Sequence, residues 1–188
     1  MNRILILVAI FFLSVVMISC GGGDSSENSG LGESCTKTSD CEGDLKCIDL
    51  VCVNEKNFPN EHDGLYWSNA SSNKMKWDKA AAYCEELGGR LPTISELRTL
   101  IQNCPATETG GECGVTDSCL SSADCSNDQC EGCEYDYPGK YSAFEDTYWF
   151  WSSSEQSGNA DTVWLVGFNN GNVSLLQKDG LIYVRCVR

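Results

Sequence analysis

The residues in this chain best equipped for chemistry are its thirteen cysteines. A cysteine serves as a nucleophile, a metal ligand, an acylation point or half of a disulfide, and spacing and context decide among these. Cys20 stands alone behind an apolar N-terminal run, and the other twelve begin at Cys35. Twelve cysteines in an exported chain read as disulfides, each contributing roughly 2–4 kcal/mol. Other chemistry is thinly supported. His62 is the single histidine, so there is no Ser-His-Asp order to propose and no zinc site to assemble. Asp117, Asp124, Asp128, Glu131, Glu134 and Asp136 crowd one stretch. They offer oxygens of the kind calcium takes, but without EF-hand spacing, and we read them as a solvated acidic loop. No metal, no cofactor and no catalytic residue is expected, and the chain does not read as an enzyme.

The elements that place these residues begin with a leader. Residues 1–19 read MNRILILVAIFFLSVVMIS, with Arg3 ahead of an uncharged apolar run from Ile4 to Ile18. That run is short of the ~20 residues of a membrane span and has the form of a secretory signal. Val16-Met17-Ile18-Ser19-Cys20 resembles a bacterial lipobox, with Met17 where leucine is commoner. The resemblance implies that Cys20 is acylated and becomes the mature N-terminus. Residues 20–31 form a Gly/Ser-rich linker with almost nothing to bury, as an anchored domain requires. The expected partner is therefore a membrane, reached through lipid on Cys20, and the expected place is the cell envelope. Gly21 rather than aspartate after Cys20 points to the outer membrane. A net charge of -14 argues against nucleic acid, whose backbone needs clustered cations.

Residues 32–53 carry Cys35, Cys41, Cys47 and Cys52 and too few apolar side chains for a core. Four cysteines allow three pairings, of which we favour Cys35–Cys47 with Cys41–Cys52, an interlocked pair in a small cysteine-knot-like module. We read the module as a rigid cap above the linker. A larger domain spans 62–188. Leu65 to Ser68 alternates as a strand. Trp77, Ala80, Ala81, Cys84 and Leu87 recur at helical spacing, and Gly88-Gly89 ends that helix. Thr93-Ile94-Ser95-Glu96 has capping-box form and opens a second helix. Residues 104–133 hold Cys104, Cys113, Cys119, Cys125, Cys130 and Cys133 among Gly, Ser, Asp and Thr. We read this stretch as an excursion with almost no core-forming residues, held by three local disulfides of open pairing. Aromatic strand 148–154, alternating strand 162–168, an Asn-Gly hairpin at 169–172, a return over 173–177 and a last strand Leu181 to Val187 complete the chain.

MKWDKAAAYCEELGGRLPTISELRTLI at 75–101, then YWFWSSSE, VWLVGF and the closing VRCVR, resemble the Lcl C-terminal-like family, a domain of unknown function. Separate motifs in the right order make the likeness specific. It covers roughly 62–188, with about 104–147 as an insertion. The family is similar to the C-type-lectin-like fold. The resemblance thus implies an α+β domain of two helices and a twisted antiparallel sheet, with a disulfide-rich insertion. It also implies a bond between first-helix Cys84 and last-strand Cys186.

The sugar-binding triplets of true C-type lectins are absent. Formylglycine-generating enzymes share a related fold and use reactive cysteines, but the implied partner of Cys186 leaves no free thiol. Arg90 and Arg185 lie inside the family motifs and read as fold supports, and Arg188 is a third candidate anion ligand. Trp77, Trp149, Trp151 and Trp164 read mostly as core, with a minority available to stack on a sugar ring. What the resemblance implies is a surface-anchored protein binding a glycan or a protein through its 104–147 loop. The alternative is a structural envelope lipoprotein, and a redox or formylglycine-type enzyme is a distant third.

Overall fold

The computed structural model describes residues 30–48, 50–135 and 138–188. The leader, Cys20, Gly21 and Asp136 lie outside them. The architecture is mixed helix and sheet, with small antiparallel sheets and six disulfides among the described residues.

The N-terminal module is one hairpin, β1 (Lys46–Ile48) against β2 (Val51–Val53), after a 3-10 turn at Thr38–Asp40. Cys35 bonds Cys47 and Cys41 bonds Cys52. Its interior is Cys35, Cys41 and Cys52, with Leu45 and Cys47 half-buried beside them, so sulfur replaces a hydrophobic core. The segments flanking the module meet the larger domain: Leu31 covers Gly88, and Asn57 Nδ2 donates to Leu87 O at 3.0 Å.

The larger domain starts with a second hairpin, β3 (Asn60–His62) against β4 (Leu65–Trp67). Helix α1 (Trp77–Glu86) buries Ala80 and Cys84 on one face. It stops at Gly88, whose φ of +84° suits a residue without a side chain. Helix α2 (Ile94–Thr99) opens on the capping box: Glu96 N donates to Thr93 Oγ1 at 3.2 Å, and Thr93 N donates to Glu96 Oε2 at 2.8 Å.

The main sheet has the order β5 (Trp149–Gln156), β6 (Asn159–Gly167), β7 (Asn172–Gln177), all antiparallel. Residues 162–167 of β6 are buried throughout, because the strand has an apolar set on each side. Val163 and Leu165 join Trp151, α1, Val184 and Cys186 in one core. Trp164 and Val166 join Phe150, Phe168, α2 and the cysteine-rich segment in another. The period-two alternation thus marks a strand between two cores rather than one solvated on a face.

Two expectations from sequence are corrected. Leu181 to Val187 is no strand. It crosses the domain in isolated bridges, pairing Ile182 with Met75, Tyr183 with Phe150, and Val187 with both Trp67 and Arg90. The partners are scattered, Trp67 in β4, Phe150 in β5, and Met75 and Arg90 in connecting segments, so no ladder forms. Residues 104–133 are likewise no excursion. Cys104, Cys113, Val115, Cys125 and Cys130 are buried in the second core, and Leu120 and Cys133 pack on it. The reading failed because it discounted cystine sulfur as core material.

Candidate functional site

The disulfides of the cysteine-rich segment are nested. Cys119–Cys125 lies within the span of Cys113–Cys130, which lies within that of Cys104–Cys133. Helix α3 (Ser122–Cys125) and a 3-10 turn at Asp128–Glu131 fill the loops between them. The segment is locked to the helix before it by Arg98, which is 2 % exposed. Its guanidinium donates to Thr107 O at 2.9 Å, to Glu108 O at 2.8 Å and to Val115 O. Burial holds its pKa below the usual arginine value, and charge-assisted bonds to carbonyls make that burial tolerable. From the other side, Cys133 N donates to Asn170 O and Trp164 Nε1 donates to Leu120 O. The segment is a third wall of the domain, not a mobile arm.

Among the described residues its carboxylates form no cluster of three at ligand spacing. Asp117 Oδ1 accepts from Ser95 N at 3.2 Å, while Asp124 accepts from Ser121 Oγ at 2.8 Å. His62 Nε2 pairs with Thr99 O at 2.8 Å, at the edge of a pocket that Asp63 and Glu108 also line. Among the described residues the single grouping with ligand spacing is Cys35, Cys41 and Cys52, and all three are half-cystines. All twelve described cysteines are disulfide-bonded, so none of them is available as a thiolate.

The arginines sort cleanly. Arg90 forks onto Glu96, Nη1 to Oε2 at 2.6 Å and Nη2 to Oε1 at 2.5 Å. Burial pushes the Glu96 carboxyl up, but Arg90 and the Thr93 backbone outweigh it and leave the pKa below the ordinary glutamate value. Arg185 forks onto Asp146 at 2.6 and 2.8 Å, both side chains being 7 % exposed, and lies over Phe144. Arg188 has no such carboxylate among the described residues.

The tryptophans divide in the same way. Trp77 Nε1 donates to Ser152 O, Trp151 Nε1 to Met75 O, Trp164 Nε1 to Leu120 O and Trp67 Nε1 to His62 O. Trp149 is the exception among the described residues. It is half-buried, and its indole N–H has no protein acceptor. It lines a groove of about 240 Å³ with Leu165, Leu175, Leu176 and Ile182. Its ring lies against Gly167, where an added Cβ would come within 3.0 Å of the indole and 2.3 Å of Asn172 Oδ1. Leu176 and Leu181 are exposed nearby in sequence, and Tyr148, next to Trp149, stacks on Tyr183 at 4.5 Å. Pocket-lining aromatics with an unspent donor are what ligand grooves use.

The model of the Lcl C-terminal domain matches residues 58–188. The chain belongs to the Lcl C-terminal domain family. No curated protein and no solved structure matches it. The match starts at Phe58, which is buried in the core beneath α1.

The stretches that carry the resemblance are the ones that build the domain. Arg90 to Glu96 is an ion pair closed over a capping box. In β5 the register shifts between Trp151 and Glu155, and the three serines of the shift serve α2 and the sheet. Ser154 Oγ accepts from Ile94 N, Ser153 N donates to Pro92 O, and Ser152 Oγ donates to Trp164 O. Cys84 is bonded to Cys186 across 102 residues, a closure the chain-entropy model rates at ~4.7 kcal/mol. Arg185 closes the other side. The groove at Trp149 and the Arg98 lock lie outside these roles; sequence reading named Trp149 among aromatics assigned mostly to the core and passed over Arg98. Arg98 is one residue past Leu97 and four past Ile94, a spacing that puts it on the helix's buried face and that signals its role.

Proposed function

We propose that this is an exported recognition protein, tethered by lipid on Cys20 to a bacterial cell envelope, whose C-type-lectin-like domain binds a glycan or protein ligand. Its work is binding rather than catalysis. The observation that carries the reading is Trp149, the tryptophan whose indole N–H is unspent and which lines an apolar groove on a frame fixed by disulfides. An indole face stacks on a sugar ring or a peptide side chain at little entropic cost, and its N–H fixes orientation. The disulfides fit an oxidising compartment, and the lipobox-like Val16 to Cys20 supplies the tether.

A structural envelope role draws support from the cysteine-rich segment, which stiffens the domain instead of projecting from it. The two readings part in one experiment. Neutral oligosaccharides and envelope glycans are arrayed against the mature protein and its Trp149→Ala variant, with indole fluorescence as a second readout. The recognition reading expects binding that blue-shifts the emission and is lost in the variant. Binding that survives in the variant overturns the groove, and no binding on any surface leaves the structural role. A Cys20→Ser chain is expected in the soluble fraction if the lipid is the anchor.

A further inference from the structure

Four arginines lie among the described residues, and three are saturated. Arg90 holds Glu96, Arg185 holds Asp146, and Arg98 holds three carbonyls. Arg188 is different. Its main chain is pinned in both directions to Tyr66: Arg188 N donates to Tyr66 O at 3.0 Å and Tyr66 N donates to Arg188 O at 3.1 Å. Its guanidinium lies between two rings, 5.5 Å from the Phe58 centroid and 5.0 Å from that of Tyr66. No ion pair to it exists among the described residues, and its Nε is buried without an acceptor. In a chain with 27 acidic and 13 basic residues, an arginine without a carboxylate is conspicuous.

The guanidinium faces a cleft of about 260 Å³ where the N-terminal module meets the larger domain. Ile48 of the module, Phe58 and Tyr66 supply apolar walls, and Glu55 and Glu61 supply carboxylates. Glu55 is held by Lys46 at 2.5 Å, whereas Glu61 is exposed and has no ion pair among the described residues. The cleft thus offers an oriented guanidinium fork, a free carboxylate and an apolar wall. The two ring contacts hold the guanidinium in place, and its planar fork suits a carboxylate better than a point charge does. The two glutamates, in a strongly acidic protein, disfavour polyanions such as phosphates.

We propose that this cleft is a binding site for a small zwitterion of the amino-acid class, with its carboxylate on Arg188, its ammonium toward Glu61 and an apolar side chain against Phe58 and Ile48. The site is separate from the groove at Trp149 and does not rest on what binds there. It would use the N-terminal module as one wall, giving that module a purpose beyond a spacer.

The test is a titration of the mature full-length protein by isothermal calorimetry and saturation-transfer NMR with the free L-amino acids. L-leucine and L-phenylalanine are the leading probes, and leucinamide and N-acetyl-leucine are the controls. Binding of the apolar amino acids is expected, with leucinamide, which lacks the carboxylate, weaker by about tenfold or more. N-acetyl-leucine, which lacks the ammonium, should weaken less. Arg188→Gln should weaken leucine by a similar factor, and Tyr66→Leu should do so by releasing the fork. Arg188→Lys, which keeps the charge and loses the fork, separates geometry from charge and should also bind poorly. The thermal midpoint of each variant confirms folding. No binding of any free amino acid at millimolar concentration overturns the proposal, as does leucine binding that a folded Arg188→Gln variant retains.

Discussion

Replacing Arg98 by methionine keeps the aliphatic stem and removes every donor. Three carbonyls then lose a charged partner, those of Thr107, Glu108 and Val115. A hydrogen bond to a charged group contributes about 1.5–3 kcal/mol net. Glu108 O is only partly buried and regains water, so two bonds count, for about 3–6 kcal/mol. Against this stands the cost of burying the guanidinium, which methionine does not carry. A net loss of about 2–4 kcal/mol is expected, or a fall of about 5–15 °C in Tm for a chain of this size. Differential scanning calorimetry reads the midpoint. Limited proteolysis without reductant reads where the loosening occurs, and new cuts are expected between 105 and 120. A variant within about 0.5 kcal/mol of wild type, with an unchanged digest, would refute the idea that this side chain locks the segment in place.

Two further outcomes follow from the other ion pairs. Asp146→Ala leaves Arg185 inside without its carboxylate and should cost roughly 3–5 kcal/mol in urea unfolding, part of which Asp146→Ala combined with Arg185→Met should restore. Glu96 titrates below its ordinary value of 4.5, so the unfolded chain takes up the proton first as pH falls. Its contribution is complete above 4.5 and disappears as pH drops through the lowered value. Denaturation curves of wild type and Glu96→Gln should therefore diverge above that range and converge in strong acid; a gap that is constant with pH would contradict the assignment.

Local chemistry made some parts of this fold legible. Thr93 and Glu96 at capping-box spacing give α2 its start, and Gly88 gives α1 its end. The two apolar sets of β6 were visible, though their meaning as two cores depended on what lies on each side. Leu181 to Val187 was not legible as bridges, because its extended pattern looks the same whether it meets one strand or four scattered segments. Six cysteines allow fifteen pairings, and nothing local selects the nested set. Trp149 and Trp151 lie two positions apart on β5 and pack on the same core, yet Trp151 is enclosed and Trp149 is at its rim, a difference of burial that the strand pattern does not carry.

The way Arg98 holds its neighbour has a consequence for how this protein can change over time. The guanidinium reads main-chain oxygens, which every amino acid possesses, and the nested cystines bind through sulfur alone. The outward-facing side chains between those cystines therefore carry little of the burden of keeping shape. Drift at those positions can rewrite the protein's exterior while its architecture stands, and a laboratory library placed there would sample new surfaces on an old frame.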